Sequence, residues 1–127
     1  AALPGEEVDV LMGIGGTPEG VLSAAAIKGI GGAIQCKAWP RDEEERRAAV
    51  SARLDLDRVY SAEDLIAGDD AVLAATGVSS GDFLNGVSYF AGGARTHSLV
   101  TRSRSGTIRW IESVHDFRRL DKLRYRD

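Results

Sequence analysis

Val8-Asp9-Val10-Leu11-Met12-Gly13-Ile14-Gly15-Gly16-Thr17-Pro18-Glu19-Gly20 is a short apolar run, then a glycine-rich loop, then the signals that open a helix. The apolar run, ending at Gly13, predicts a buried strand. Thr17 is a good N-cap, and Pro18 stands at the first helical position, where its missing N–H costs nothing. Glu19 follows in the first turn, facing the positive end of the helix dipole. Val21-Leu22-Ser23-Ala24-Ala25-Ala26-Ile27-Lys28 is Ala-rich with apolar residues at i, i+3 and i+4, a body able to lie close against a sheet. Gly29, Gly31 and Gly32 are expected to stop it.

Downstream, Ala33 to Trp39 reads as a second strand, with Ile34, Cys36 and Ala38 on its inner face and Gln35 and Lys37 on the other. Strand, helix and strand in that order predict a right-handed parallel βαβ unit. Pro40 ends the strand. Arg41 to Leu54 reads as a charged surface helix with Asp42–Arg46 and Glu43–Arg47 pairs. Ser61 to Ile66 reads as a short capped helix ending at Gly68, and Ala71 to Thr76 as a third buried strand. Gly77 to Gly81 forms a second loop, with Asp82 expected to cap the turn Phe83-Leu84-Asn85. Val87 to Phe90, Arg95 to Arg104 and Thr107 to Val114 then read as strands, the last two as an antiparallel hairpin. The fold class expected is therefore a single mixed α/β domain over residues 1–127, parallel βαβ strands first and a C-terminal antiparallel hairpin last.

Composition narrows the function classes. The 127 residues, 43% hydrophobic and 28% charged, suffice for one core. The longest apolar run, Val21 to Ile27, is interrupted by Ser23 and followed by Lys28, which excludes a membrane span of the helical kind. Cys36 is the sole cysteine, so an intrachain disulfide and a Cys-built zinc or iron–sulfur site are excluded, and a reducing, cytoplasmic setting is expected. Ala1 to Glu7 reads as a loop, with no initiator Met and no basic leader, as though cut from something longer.

The net charge of −3 is unevenly placed. Residues 1–94 carry 15 acids and 7 bases, whereas residues 95–127 carry 4 acids and 9 bases, and Arg95 to Ile111 holds four Arg and no acid. That asymmetry suggests an anionic ligand or an acidic neighbour for the C-terminal third, or a solvated basic face. A negative domain without a basic helix or a stacking motif does not fit nucleic acid.

Gly13 to Gly20 carries the chemistry. A loop between a strand end and a helix N-terminus is where open α/β sheets place ligands, and its backbone N–H groups favour an anion such as phosphate. No Lys-Ser/Thr follows, which excludes a Walker A loop, and Pro18 stands where the third glycine of a dinucleotide fingerprint belongs. Glu19 has two readings: a complement to the helix dipole, or a ligand for a hard divalent cation between it and a bound phosphate. The Thr76-Gly77-Val78-Ser79-Ser80-Gly81-Asp82 turn could line the same cleft. Arg95, Arg102, Arg104 and Arg109 lie on one hairpin, Arg102 and Arg104 on one face, and could meet a distal phosphate, a neighbouring subunit or solvent. His97 and His115 lack triad partners and Ser79 and Ser80 lack a nucleophile elbow, so these residues are expected to be structural. Trp39 and Trp110 read as core or interface aromatics, and Arg118 to Arg124 as a loosely docked basic tail.

Gly13-Ile14-Gly15-Gly16-Thr17-Pro18-Glu19-Gly20, Ala74-Ala75-Thr76-Gly77-Val78 with Gly81-Asp82, Ala94-Arg95-Thr96-His97-Ser98-Leu99-Val100, and Arg102-Ser103-Arg104-Ser105-Gly106-Thr107 together resemble the bacterial class II fructose-1,6-bisphosphatases, in their C-terminal part. The resemblance implies a lithium-sensitive phosphatase fold and a metal-dependent sugar-phosphatase of gluconeogenesis that releases the 1-phosphate of fructose 1,6-bisphosphate, with sedoheptulose 1,7-bisphosphate as a further substrate. It implies Glu19 as a ligand of Mn²⁺ or Mg²⁺ and Gly16 as a substrate contact, with Gly15 and Thr17 beside it. Such a site implies in-line attack on phosphorus by a metal-activated water. The family's other ligands, including those of an Asp-Pro-Leu/Ile-Asp-Gly-Thr signature, lie in its N-terminal half, and this chain contains no Asp-Pro. The chain alone is thus expected to be catalytically incomplete, with the missing half or a second chain as partner and a homo-oligomer as its assembly. Arg53-Leu54, where relatives tend to have Gly and a short apolar residue, reads as a surface change. A noncatalytic α/β module that binds a phosphorylated ligand or another subunit is the alternative.

Overall fold

The computed structural model describes residues 9–120. Along the chain run α1 (Thr17–Ile30), β1 (Gln35–Lys37), α2 (Glu43–Ser51), β2 (Val59–Ser61), α3 (Ala62–Leu65), β3 (Val72–Thr76), β4 (Ser88–Phe90), β5 (Gly93–Arg102), β6 (Thr107–Asp116) and α4 (Phe117–Leu120). A mixed α/β class and the C-terminal antiparallel hairpin stand as expected. The strands form a two-stranded sheet, β1 with β2, and a four-stranded sheet in which β5 pairs with β3, β4 and β6.

The parallel βαβ unit is corrected: every strand pair among the described residues is antiparallel. Val10, Leu11 and Met12, expected in a buried strand, are 73–89% exposed and belong to no ladder. An extended segment becomes a strand only against a partner's backbone groups. The next strand, β1, gives its own to β2, pairing Gln35 with Ser61 and Lys37 with Val59. Val8 and the loop Ala1 to Glu7 lie outside the described residues, as does the tail beyond Leu120.

β5 and β6 run together for ten residue pairs, from Gly93↔Asp116 to Arg102↔Thr107, turning through a 3₁₀ segment at Ser103–Ser105 closed by Gly106 at φ 58°. Direct cross-strand partners share a face, so Leu73 and Ile108 lie beside Thr101, and Ala75 and Trp110 beside Leu99. This face carries α1, and the core sits between them: Ala24 and Thr101 are 0% exposed and Leu99 is 2% exposed. The opposite face stays open, with Val72 and Ile111 exposed, as an antiparallel sheet permits.

The shorter elements follow their local signals. Asp42 caps α2 by accepting from the Glu45 N–H at 2.8 Å, so it is not the partner of Arg46, whereas Glu43 does face Arg47 at 3.7 Å. Ser61 and Asp64 form a reciprocal capping box at α3. β3 is shorter and less buried than expected, its residues alternating between exposed and half-buried. Trp39 and Trp110 are exposed, correcting their core reading; Trp110 meets Phe83 edge-on at 5.3 Å. Cys36, expected in the core, is half-buried.

Candidate functional site

Gly13 to Glu19 lies wholly exposed where the chain enters α1. The cap differs from the sequence expectation: Gly16 is the N-cap, extended at φ −68° and ψ 163°, and Thr17 is already helical. From that position the Thr17 hydroxyl does not cap the helix, and no side chain does. Gly20 N–H closes the first turn on the Gly16 carbonyl at 3.0 Å. Pro18 has no N–H, so the Thr17 and Glu19 N–H groups stand at the positive end of a 14-residue helix without an intrahelical partner. That end can take an anion.

The Glu19 side chain curls back over this end. A Cβ added to Gly16 would meet the Glu19 carboxylate, its Cδ at 3.3 Å, and one added to Gly15 would touch the Glu19 Cβ at 3.8 Å. Gly15, Gly16, Thr17 and Glu19 thus make one small surface combining N–H donors with one carboxylate. The donors suit phosphate oxygens and the carboxylate suits a hard divalent cation. Among the described residues no group of three or more His, Cys, Asp or Glu could hold a metal. Glu19 therefore fits one coordination position, and a complete ion site needs oxygens from outside these residues.

The other candidates are engaged elsewhere. Arg102 and Arg104 do not share a strand face, because the chain leaves β5 at Arg102 and Arg104 sits in the 3₁₀ turn. Arg102 forks onto Asp70, its Nε 2.6 Å from Oδ1, and this guanidinium holds the Asp70 carboxyl below its ordinary value. Arg95 faces Glu112 at 3.3 Å, seven residues away from Arg102 and on the opposite face of β5, so the structure does not gather these arginines into one site. Among the described residues Arg104 and Arg109 form no ion pair.

His97 is set between Asn85 (Nδ2 to Nδ1, 3.3 Å) and Glu112 (Nε2 to Oε2, 3.3 Å), and His115 shares a 2.9 Å hydrogen bond with the Thr96 hydroxyl. The Asn85–His97–Glu112–Arg95 chain of contacts was not read from the sequence; its signal was the Ser105-Gly106 turn, which fixes the register that puts Glu112 opposite His97. Asp82 caps no helix. The loop after β3 is closed by Gly81 N–H to the Leu84 carbonyl (3.0 Å), Val87 N–H to the Val78 carbonyl (3.1 Å) and Gly86 N–H to Ser80 Oγ (3.0 Å).

Residues 1–115 match the family described as bacterial fructose-1,6-bisphosphatase, glpX-encoded. The chain belongs to this family. Among the curated proteins it is similar to the D-fructose 1,6-bisphosphatase class 2/sedoheptulose 1,7-bisphosphatase of Thermosynechococcus vestitus, 38% identical over 133 residues that cover 91% of this chain and 38% of the relative. The protein of the same description from Synechococcus sp. (strain JA-2-3B'a(2-13)) is 38% identical over 128 residues, covering 91% of this chain and 37% of the relative. The chain thus spans less than two fifths of the length of these bisphosphatases, and the match takes in the whole Gly13–Glu19 surface.

Proposed function

We propose that this chain is the C-terminal portion of a divalent-metal-dependent phosphatase that removes the 1-phosphate of fructose 1,6-bisphosphate, and accepts sedoheptulose 1,7-bisphosphate, in the cytoplasmic gluconeogenesis of a bacterium. The observation that carries the reading is the Glu19 carboxylate folded over Gly16 at an uncapped helix N-terminus. Glu19 supplies one ligand of Mn²⁺ or Mg²⁺. Gly15, Gly16 and Thr17 form the substrate side, where the absence of side chains at Gly15 and Gly16 lets a phosphate approach the Thr17 and Glu19 N–H groups. Bound there, the cation would screen substrate and carboxylate from one another and offset charge developing on phosphorus. The remaining ligands come from the rest of a longer protein or from a second chain, and the working assembly is a homo-oligomer.

The test is Mn²⁺-dependent phosphate release from fructose 1,6-bisphosphate by the chain alone and by a form extended upstream to the length of its relatives, each with and without Glu19→Gln. Turnover by the extended wild-type protein alone is expected. An inactive extended form, or an unchanged rate with Glu19→Gln, would put in its place a noncatalytic module that binds a phosphorylated ligand or another subunit.

A further inference from the structure

Gly29 is buried in the last turn of α1, where glycine costs helix stability relative to alanine. Thr101 on β5 lies against it, 0% exposed, its hydroxyl without a hydrogen-bond partner among the described residues. A Cβ at position 29 would lie 2.8 Å from the Thr101 Cβ and would overlap its Oγ1 outright. Helix and strand therefore meet backbone to side chain, at a distance only glycine allows. Ala24 is the other fully buried contact of α1, five residues before Gly29 and five after Glu19.

We infer that the Gly29–Thr101 contact sets the tilt of α1 about Ala24 and thereby the position of the Glu19 carboxylate, making Gly29 and Thr101 positioning residues for the metal site. The inference rests on the reading of Glu19 as a metal ligand. Glu19 and Gly29 stand about 7.5 Å either side of Ala24 along a regular helix, so the arms of this lever are equal. Clearing the Thr101 Cβ alone, from 2.8 Å to an ordinary 3.4 Å contact, requires about 0.6 Å of movement and the closer Oγ1 overlap requires more, a displacement the lever carries to Glu19. Coordination distances hold within about 0.2 Å and site geometry within about 0.5 Å, so a shift of this size is felt at the ion.

The experiment measures Mn²⁺ binding without substrate, by the EPR signal of free Mn²⁺, in the full-length protein that carries this segment. Gly29→Ala is expected to weaken binding about 10- to 100-fold. Thr101→Gly added to it should restore binding, whereas Thr101→Ser should not, because Cβ and hydroxyl remain. In the Glu19→Gln background Gly29→Ala should add nothing further, the non-additivity of two residues acting through one carboxylate. Thr101→Ile, which lifts the helix from beneath, is expected to weaken binding as Gly29→Ala does.

Wild-type binding in Gly29→Ala and Thr101→Ile overturns the inference, and so does loss of the near-UV dichroism in either, since a purely structural contact is then the whole account. A full additional loss in the Glu19→Gln background also overturns it. Wild-type binding in Glu19→Gln alone removes the reading of Glu19 beneath it, while a weakened Glu19→Gln beside an unaffected Gly29→Ala removes only the lever.

Discussion

From Val10 to Glu19 every residue is exposed and the segment leads into α1, whereas β5 and β6 share ten residue pairs and bury Ala94, Leu99 and Thr101. The hairpin is held by a continuous ladder and by apolar burial, terms that add along its length. The glycine segment has neither; what it presents instead is unpaired donors and a carboxylate. Burial and unpaired polar groups thus lie at opposite ends of α1, with Gly29 at the packed end and Glu19 at the open one.

Substitutions that separate the two regions make this contrast testable. Leu99→Ala should be the largest, destabilising the chain by about 2–5 kcal/mol in urea unfolding, because it opens a cavity between β5 and α1; a cost under about 1 kcal/mol would mean that the hairpin is not the anchor. Ser61→Ala should cost about 1 kcal/mol, removing the α3 cap that the Asp64 N–H uses at 3.3 Å, and would appear as a lower urea midpoint at unchanged slope.

Asp70→Asn should be a smaller effect with a pH signature. Arg102 depresses the Asp70 carboxyl from its ordinary 3.8, so the wild-type advantage is fully present above that value and is lost as pH falls through the lower folded value. Unfolding curves of wild type and variant should differ equally from pH 7 to about 5 and begin to converge only below about 4, as Asp70 takes up its proton. Convergence on raising the pH instead would rule out the Asp70–Arg102 pair as the cause. The smallest stability effect is expected for Glu19→Gln, within about 0.5 kcal/mol, since Glu19 is exposed and supports only the helix dipole. A larger loss would mean that the open end is also structural.

Much of the fold was legible because its signals are local. Thr17-Pro18-Glu19 announced α1, Ser61 and Asp64 the capping box of α3, and Ser105-Gly106 the turn of the hairpin, since caps and tight turns use backbone groups only a few residues apart. The candidate site was legible for the same reason: Gly15, Gly16, Thr17 and Glu19 are near neighbours in the chain, and one helical turn brings them together.

The local expectations that failed are the Thr17 and Asp82 caps and the Asp42–Arg46 pair; the other failures depend on a distant partner. Val10 to Met12 has the pattern of a buried strand, but a pattern names no ladder, and β1 found its own in β2. Arg102 and Arg104 alternate in sequence as strand residues do, but the chain turns between them, and Asp70 takes Arg102. The sequence by itself determined the helix starts to within two residues, the hairpin with its turn, and the residues of the glycine surface, because covalent neighbours and backbone sterics decide those. The pairing of β1 with β2, the His97–Glu112 register and the close seating of Gly29 on Thr101 were decided only by tertiary structure, where burial and hydrogen-bond satisfaction across long separations choose among locally equal alternatives.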